Sequence, residues 1–199
     1  MTNRTDNFDR ANSTAALGTP SDGGSAWVAA SGTWGISGNK GYPAASTTET
    51  VAYLESSVTA VEVQATMSTG ATWNGLMARC GGSWTNLLLL NADTAGTIKL
   101  YKYVSGSSTQ LGSTYSGAVA AGDVLKLRVD SANLITAYQN GSSRTSATDS
   151  AGSTNTKHGF WCYGTTAPRW DDLSITEIGA AADASLVYYQ PAIAPLLVR

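Results

Sequence analysis

The sequence predicts an all-β chain of two antiparallel sheets stacked face to face, followed by an extended C-terminal arm. Three observations carry that prediction. Helical periodicity is nearly absent, whereas short runs alternating apolar and polar residues recur along the chain. The connections between runs are short and rich in Gly, Ser, Asn and Asp, such as "SGSS", "NGSS" and "DSAGSTN". They leave no room for crossover helices, so the strands pair antiparallel. Charged residues make up only 13% of the 199, while 6 Trp and 9 Tyr are present. That composition excludes disorder, which needs high charge and few aromatics.

The elements follow in order. "AWVAASGTWGISGNKGY", Ala26 to Tyr42, holds Trp27 and Trp34 in strand-like patterns, so both rings are expected in the core. "VEVQATM" places Val61, Val63, Ala65 and Met67 on one face and Glu62, Gln64 and Thr66 on the other. "LLLL", Leu87 to Leu90, is unbroken, as in a strand covered on both faces. "DVLKLRVD" turns Leu125, Leu127 and Val129 inward and Lys126, Arg128 and Asp130 outward. The next strand ends at Asn140-Gly141, the pair that supplies positive φ angles to a tight hairpin. Trp161 and Trp170 again sit in strand patterns. These signals add up to about a dozen strands.

The composition shifts after Ile178. The sandwich is therefore assigned to residues 1–178, and residues 179–199 to a small-residue spacer and an apolar arm, "YYQPAIAPLLVR". Pro191 and Pro195 preclude a helix there. Tyr188, Tyr189, Ile193, Leu196, Leu197 and Val198 are costly to leave in water, at about 1.5–3 kcal/mol for each large side chain buried. The arm is expected to dock on a neighbouring subunit of an oligomer by strand addition or groove filling.

Three stretches carry a resemblance. "NFDRA" (Asn7 to Ala11) with the Ala26–Tyr42 phrase is the first; "NGLMARCGGSWTNLLLLNADTAGTIKLYKYVSGSSTQLG" (Asn74 to Gly112) is the second. The third is "GDVLKLRVDSANLITAYQNGSS" (Gly122 to Ser143) with "HGFWCYGTTAPRWDDLSI" (His158 to Ile175). Their order and spacing resemble the concanavalin A-like lectin/glucanase (laminin-G-like) jelly roll, in the versions found in tailed-bacteriophage virion proteins. The resemblance implies that "FDRA" and "WDDLSI" form adjacent terminal strands. It makes Arg79, in "GLMAR", a structural arginine. It also implies glycan binding through exposed rings, for which Trp73, Trp84 and Tyr115 in loop-like contexts are the candidates.

The net charge of −2 builds no basic face, so nucleic acid is not expected as a partner. No apolar run reaches the roughly 20 residues of a membrane span. "MTNRTDNFDRANSTAALG" has no apolar segment, so no secretory leader is expected. Cys80 and Cys162, the two cysteines, lie in strand-like apolar runs; a disulfide is open, and two buried thiols fit better. Glycosidases of this fold use alternating carboxylates on one strand, yet there is no E-x-D-x-x-E phrase. Glu49, Glu55 and Glu62 are too widely spaced, and Asp171 and Asp172 point to opposite faces. His158, the single histidine, lacks a G-x-S-x-G partner and is expected at a strand edge in an ordinary hydrogen bond. No cofactor is expected. Asp6, Asp9, Asp171 and Asp172 are the only calcium candidates, and turn capping or pairing with Arg10 or Arg169 is the simpler role.

The expected function is a non-enzymatic structural protein of a tailed-phage virion, a capsid decoration or minor tail protein. The arm would anchor it to capsid or tail subunits, and a lectin-like body would face outward toward a cell-surface glycan. Assembly in the host cytoplasm and display on the particle surface follow from that role. The alternative is a free carbohydrate-binding module; a glycoside hydrolase is the third class.

Overall fold

Period-two patterning becomes strands wherever one face can be buried. The computed structural model describes residues 3–46 and 48–179, and these form fifteen strands and no helix. One sheet runs β13 (Ser142–Thr148), β12 (Leu134–Gln139), β11 (Asp123–Val129), β6 (Val61–Thr69), β15 (Arg169–Glu177), β4 (Gly41–Ala45), β3 (Thr33–Ile36), with β1 (Arg4–Asp6) also on β15. The other runs β10 (Ser107–Ser116), β9 (Thr97–Val104), β8 (Leu87–Asp93), β7 (Asn74–Cys80), β14 (Lys157–Tyr163), β5 (Glu49–Glu55), β2 (Val28–Ser31). Neighbouring strands pair antiparallel, so the fold is the expected two-sheet jelly-roll sandwich.

The core between the sheets is built from the predicted faces. Val61, Val63, Ala65 and Met67 of β6 and Leu125, Leu127 and Val129 of β11 are fully buried. They share one cluster with Leu76, Leu88, Leu90, Ile98 and Leu100 of the opposite sheet. Phe160 of β14 stands at the centre of an aromatic group with Trp27, Trp34, Trp170 and Phe8. Asn140 (φ 52) and Gly141 (φ 78) both take positive φ between β12 and β13, as the tight hairpin requires.

The terminal strands are adjacent, with Arg4, Thr5 and Asp6 opposite Ile175, Ser174 and Leu173. The pairing strand, however, is Arg4–Asp6 and not "FDRA". Phe8 takes a positive φ of 54 and the Arg10 N–H donates back to its carbonyl at 2.8 Å. The phrase is a turn that throws Phe8 into the core. Asp6 holds it, accepting from the Arg10 guanidinium at 2.7 and 2.8 Å, from Trp27 Nε1 at 2.7 Å and from the Phe8 N–H at 3.0 Å.

His158 is not at an edge. It is the second residue of β14, which lies between β7 and β5, and it is fully buried. Its Nδ1 accepts from the Arg79 N–H at 3.1 Å, and its Nε2 faces the Val58 carbonyl oxygen at 3.0 Å. The neutral ring with its proton on Nε2 satisfies both neighbours. Burial pushes its pKa down from 6.5 to about 4. The unfolded chain therefore takes up this proton first, and stability is full above pH 6.5 and falls as pH drops toward about 4. The loss is roughly 3 kcal/mol in all, with about 2 kcal/mol between pH 6.5 and about 5. Asp22 is exposed and Asp149 half-buried; partial desolvation tends to raise both, but hydrogen bonds from Arg4 and Lys102 outweigh it and hold them low, so they act at more acid pH. The urea midpoint should fall across the histidine window in the native chain and stay level there in His158→Gln. A parallel slope in both would remove His158 as the cause.

Cys80 and Cys162 are both free and buried. Cys162 lies in the main core and Cys80 in a second cluster on the far side of the same sheet. Burial pushes both thiols up, Cys162 to about 11.

Candidate functional site

The seven-stranded sheet is apolar on both faces. Leu88, Leu90, Ile98 and Leu100 face the sandwich core, and the alternate residues turn the other way. Val51, Met77, Cys80, Leu87, Leu89, Tyr103 and Trp161 form a second cluster on this outer face, with Tyr53, Trp84 and Tyr101 packed against it. The unbroken "LLLL" of β8 follows directly from this double burial.

At one end of the outer face two rings stand out. Trp73, before β7, is 41% exposed, and Tyr163, the last residue of β14, is 46% exposed. The Tyr163 N–H donates to the Trp73 carbonyl at 3.1 Å, so the two segments are tied. Asn74 fixes the Trp73 loop further, donating from Nδ2 to the carbonyls of Ala71 and Ala92, each at 2.6 Å. Two cavities share these rings. One, of about 400 Å³, is lined by Ala71, Thr72, Trp73, Thr94, Tyr163, Gly164 and Thr165. The other, of about 230 Å³, is lined by Glu49, Trp73, Tyr103, Ser108, Trp161 and Tyr163. Together they make one groove with rings along it and hydroxyls at its sides.

The polar groups of the groove are preset. Glu49 lies opposite Tyr163 in the β5–β14 register. Burial first, then the Glu49 carboxylate and Tyr101, raise the Tyr103 phenol to about 12, so it stays a hydrogen-bond donor at neutral pH. Tyr103 and Trp161 lie with ring centroids 6.1 Å apart. The buried Trp161 Nε1 has no hydrogen-bond partner among the described residues.

Of the three expected glycan residues, only Trp73 lines the groove. Trp84 is half-buried against the outer cluster, its ring filling the space beside Gly106, where φ is +80. Tyr115 packs half-buried against the main core, with the Arg144 guanidinium 4.7 Å from its ring centroid. Trp161 is buried as expected, but on the outer face, where it borders the groove. The sequence does not point to Tyr163, Tyr103 or Ser108, and it offers Glu49 only as a carboxylate too widely spaced for catalysis. Counting by two from Trp161 reaches Tyr163; Glu49, Tyr103 and Ser108 meet it only through strand register.

Three of the four calcium candidates are held by other partners. Asp6 is saturated as described, Asp9 accepts from Asn39 Nδ2 at 2.9 Å, and Asp171 pairs with Lys40. Asp6 and Asp172 do border one cavity of about 370 Å³. Among the described residues no group of three or more His, Cys, Asp or Glu is placed to hold a metal ion. The arm residues Tyr188, Tyr189, Pro191, Ile193, Pro195, Leu196, Leu197 and Val198 lie outside the described residues.

No family model and no curated protein matches the chain. Solved structures do. The carbohydrate-binding module CBM66 from Bacillus subtilis is 16% identical, with 76% of this chain and 95% of that chain covered and a TM-score of 0.62. The GH43 protein BlXynB from Bacillus licheniformis is 16% identical with a TM-score of 0.60, covering 88% of this chain; this chain spans 39% of that one. A β-glucanase from Bacillus licheniformis is 12% identical, with 89% and 99% covered and a TM-score of 0.51. The likeness is one of fold, the concanavalin A-like jelly roll.

Proposed function

We propose that the chain is a non-catalytic carbohydrate-binding module whose ligand lies along the groove between Trp73 and Tyr163. The observation that carries this is that two large, exposed rings border both adjoining cavities. Sugar rings stack on such faces through their C–H edges, while Ser108, Tyr103 and the threonines meet hydroxyls. The fold, shared with a carbohydrate-binding module, supports the same reading. Hydrolysis needs an acid and a second carboxylate facing one bond. Glu49 alone among the groove's lining residues carries a carboxylate.

Calorimetry against soluble polysaccharides (a β-glucan, a xylan, a fructan, a chitosan) tests this. At least one should bind, and Trp73→Ala and Tyr163→Ala should each weaken it about tenfold or more, 1.4 kcal/mol upward. Both positions are exposed, so the variants should keep the native circular dichroism. Failure of every polysaccharide, or unchanged binding by both variants, would refute the reading.

A place in a tailed-phage particle, as capsid decoration or minor tail protein, is a finer proposal supported by the order of the sequence phrases. Its anchoring residues lie outside the described residues, and the glycan reading stands without them.

A further inference from the structure

Strands β5 and β14 build a four-rung ladder on the outer face: Glu55 opposite Lys157, Tyr53 opposite Gly159, Val51 opposite Trp161, and Glu49 opposite Tyr163. At one end the ladder is complete in charge. Lys157 Nζ sits 5.7 Å from the Tyr53 ring centroid and 3.7 Å from Glu55 Oε2, an ammonium held between a ring and a carboxylate. At the other end the carboxylate and rings recur without the ammonium. Glu49 shares its cavity with Trp73, Tyr103, Trp161 and Tyr163, and no Lys, Arg or His lines it. Glu49 forms no ion pair among the described residues.

We infer that this end of the groove receives a protonated amine carried on a sugar, so that the preferred ligand is an amino-sugar oligomer. The inference rests on the glycan reading above and adds the charge of the ligand. An ammonium gains from aromatic faces and from the carboxylate together, more so where water is partly excluded. A uronate or sulfated sugar would meet Glu49 with like charge and no counter-cation. The field of Glu49 is already felt in the cavity, where it helps keep the Tyr103 phenol protonated. The cavity of about 400 Å³ beyond Trp73 gives the neighbouring sugar its place, which a small free ammonium would not need.

The test compares fully deacetylated glucosamine oligomers with N-acetylated oligomers of equal length, by calorimetry at low salt and about pH 6, where an alkyl amine is charged. The deacetylated oligomer should bind about tenfold more tightly. Glu49→Gln should shrink that preference below about threefold, whereas Trp73→Ala should weaken both ligands. Equal affinity for the two oligomers, or a preference that survives Glu49→Gln, overturns the inference. If neutral polysaccharides still bind, the glycan reading stands without it; if no glycan binds, both fall. Choline binding as tightly as the oligomer would overturn the sugar part and point to a small quaternary ammonium.

Discussion

Arg79→Ala is expected to destabilise the sandwich by about 3–5 kcal/mol, a large share of the roughly 5–15 kcal/mol that holds a domain of this size. Arg79 is the penultimate residue of β7 and only 2% exposed, and its side chain leaves the seven-stranded sheet to reach the other one. Nε donates to the Thr59 carbonyl at 2.8 Å, one terminal nitrogen to Asn133 Oδ1 at 2.7 Å and the other to the Asp130 carbonyl at 3.1 Å. Thr59 precedes β6, and Asp130 and Asn133 lie in the turn from β11 to β12. Truncation takes the donor from the half-buried Thr59 carbonyl and Asn133 Oδ1, while the Asp130 carbonyl keeps the Asn133 N–H, and each acceptor left unpaired costs about 1–3 kcal/mol. Burial pulls the guanidinium pKa down, with Asp130 opposing it, so the charge is held at a cost that its partners offset. Arg79→Lys keeps the charge but cannot fork to three oxygens, and should recover less than half of the loss. Urea unfolding followed by Trp fluorescence measures both; a loss under about 1 kcal/mol for the alanine would show that water replaces the fork.

The same residue shows what a sequence can and cannot disclose. "VEVQATM" and "DVLKLRVD" announce their faces because one side of each strand is polar, and all seven apolar residues named there are buried as read. Leu87 to Leu90 announces burial on two faces but not what lies on each. β1 is three residues long and β4 contains Pro43, so neither has enough alternation to register, and fifteen strands appear where about a dozen were legible. Phe160 and Trp161 are neighbours, both buried, on opposite sides of one sheet. Their composition is the same kind of signal, and only the finished sandwich assigns Phe160 to the core and Trp161 to the groove. Trp73 was legible as a ring in a Gly-rich loop. Its partners were not, because Glu49, Ser108 and Tyr163 come from three strands that register alone brings together. Arg79 could be singled out by resemblance, but its acceptors sit 20, 51 and 54 residues away.

The other large effect is expected at Phe160, where alanine should cost about 3–5 kcal/mol. The ring lies 5.3 Å from Trp170, 5.4 Å from Trp27, 5.9 Å from Trp34 and 6.1 Å from Phe8, centroid to centroid. Trp34 and Trp170 belong to the eight-stranded sheet, Phe160 to the seven-stranded one, and Phe8 and Trp27 to the N-terminal segments. One side chain thus touches every part that closes this end of the sandwich. Its removal takes away ring contacts on several sides and leaves a cavity whose walls are rigid indoles, poorly able to collapse. Phe160→Leu retains most of the volume and should cost about 1–2 kcal/mol, so the difference between the two variants measures filling rather than aromaticity. Near-ultraviolet circular dichroism should lose intensity in both, because three tryptophans lose a stacked neighbour. If the rings act as a unit, Phe160→Ala and Trp27→Ala should be less than additive by about 0.5 kcal/mol or more in a double-mutant cycle. Strict additivity would mean that Phe160 only fills space, and that Asp6, through its bond to Trp27 Nε1, holds the N-terminal turn without help from the ring beneath it.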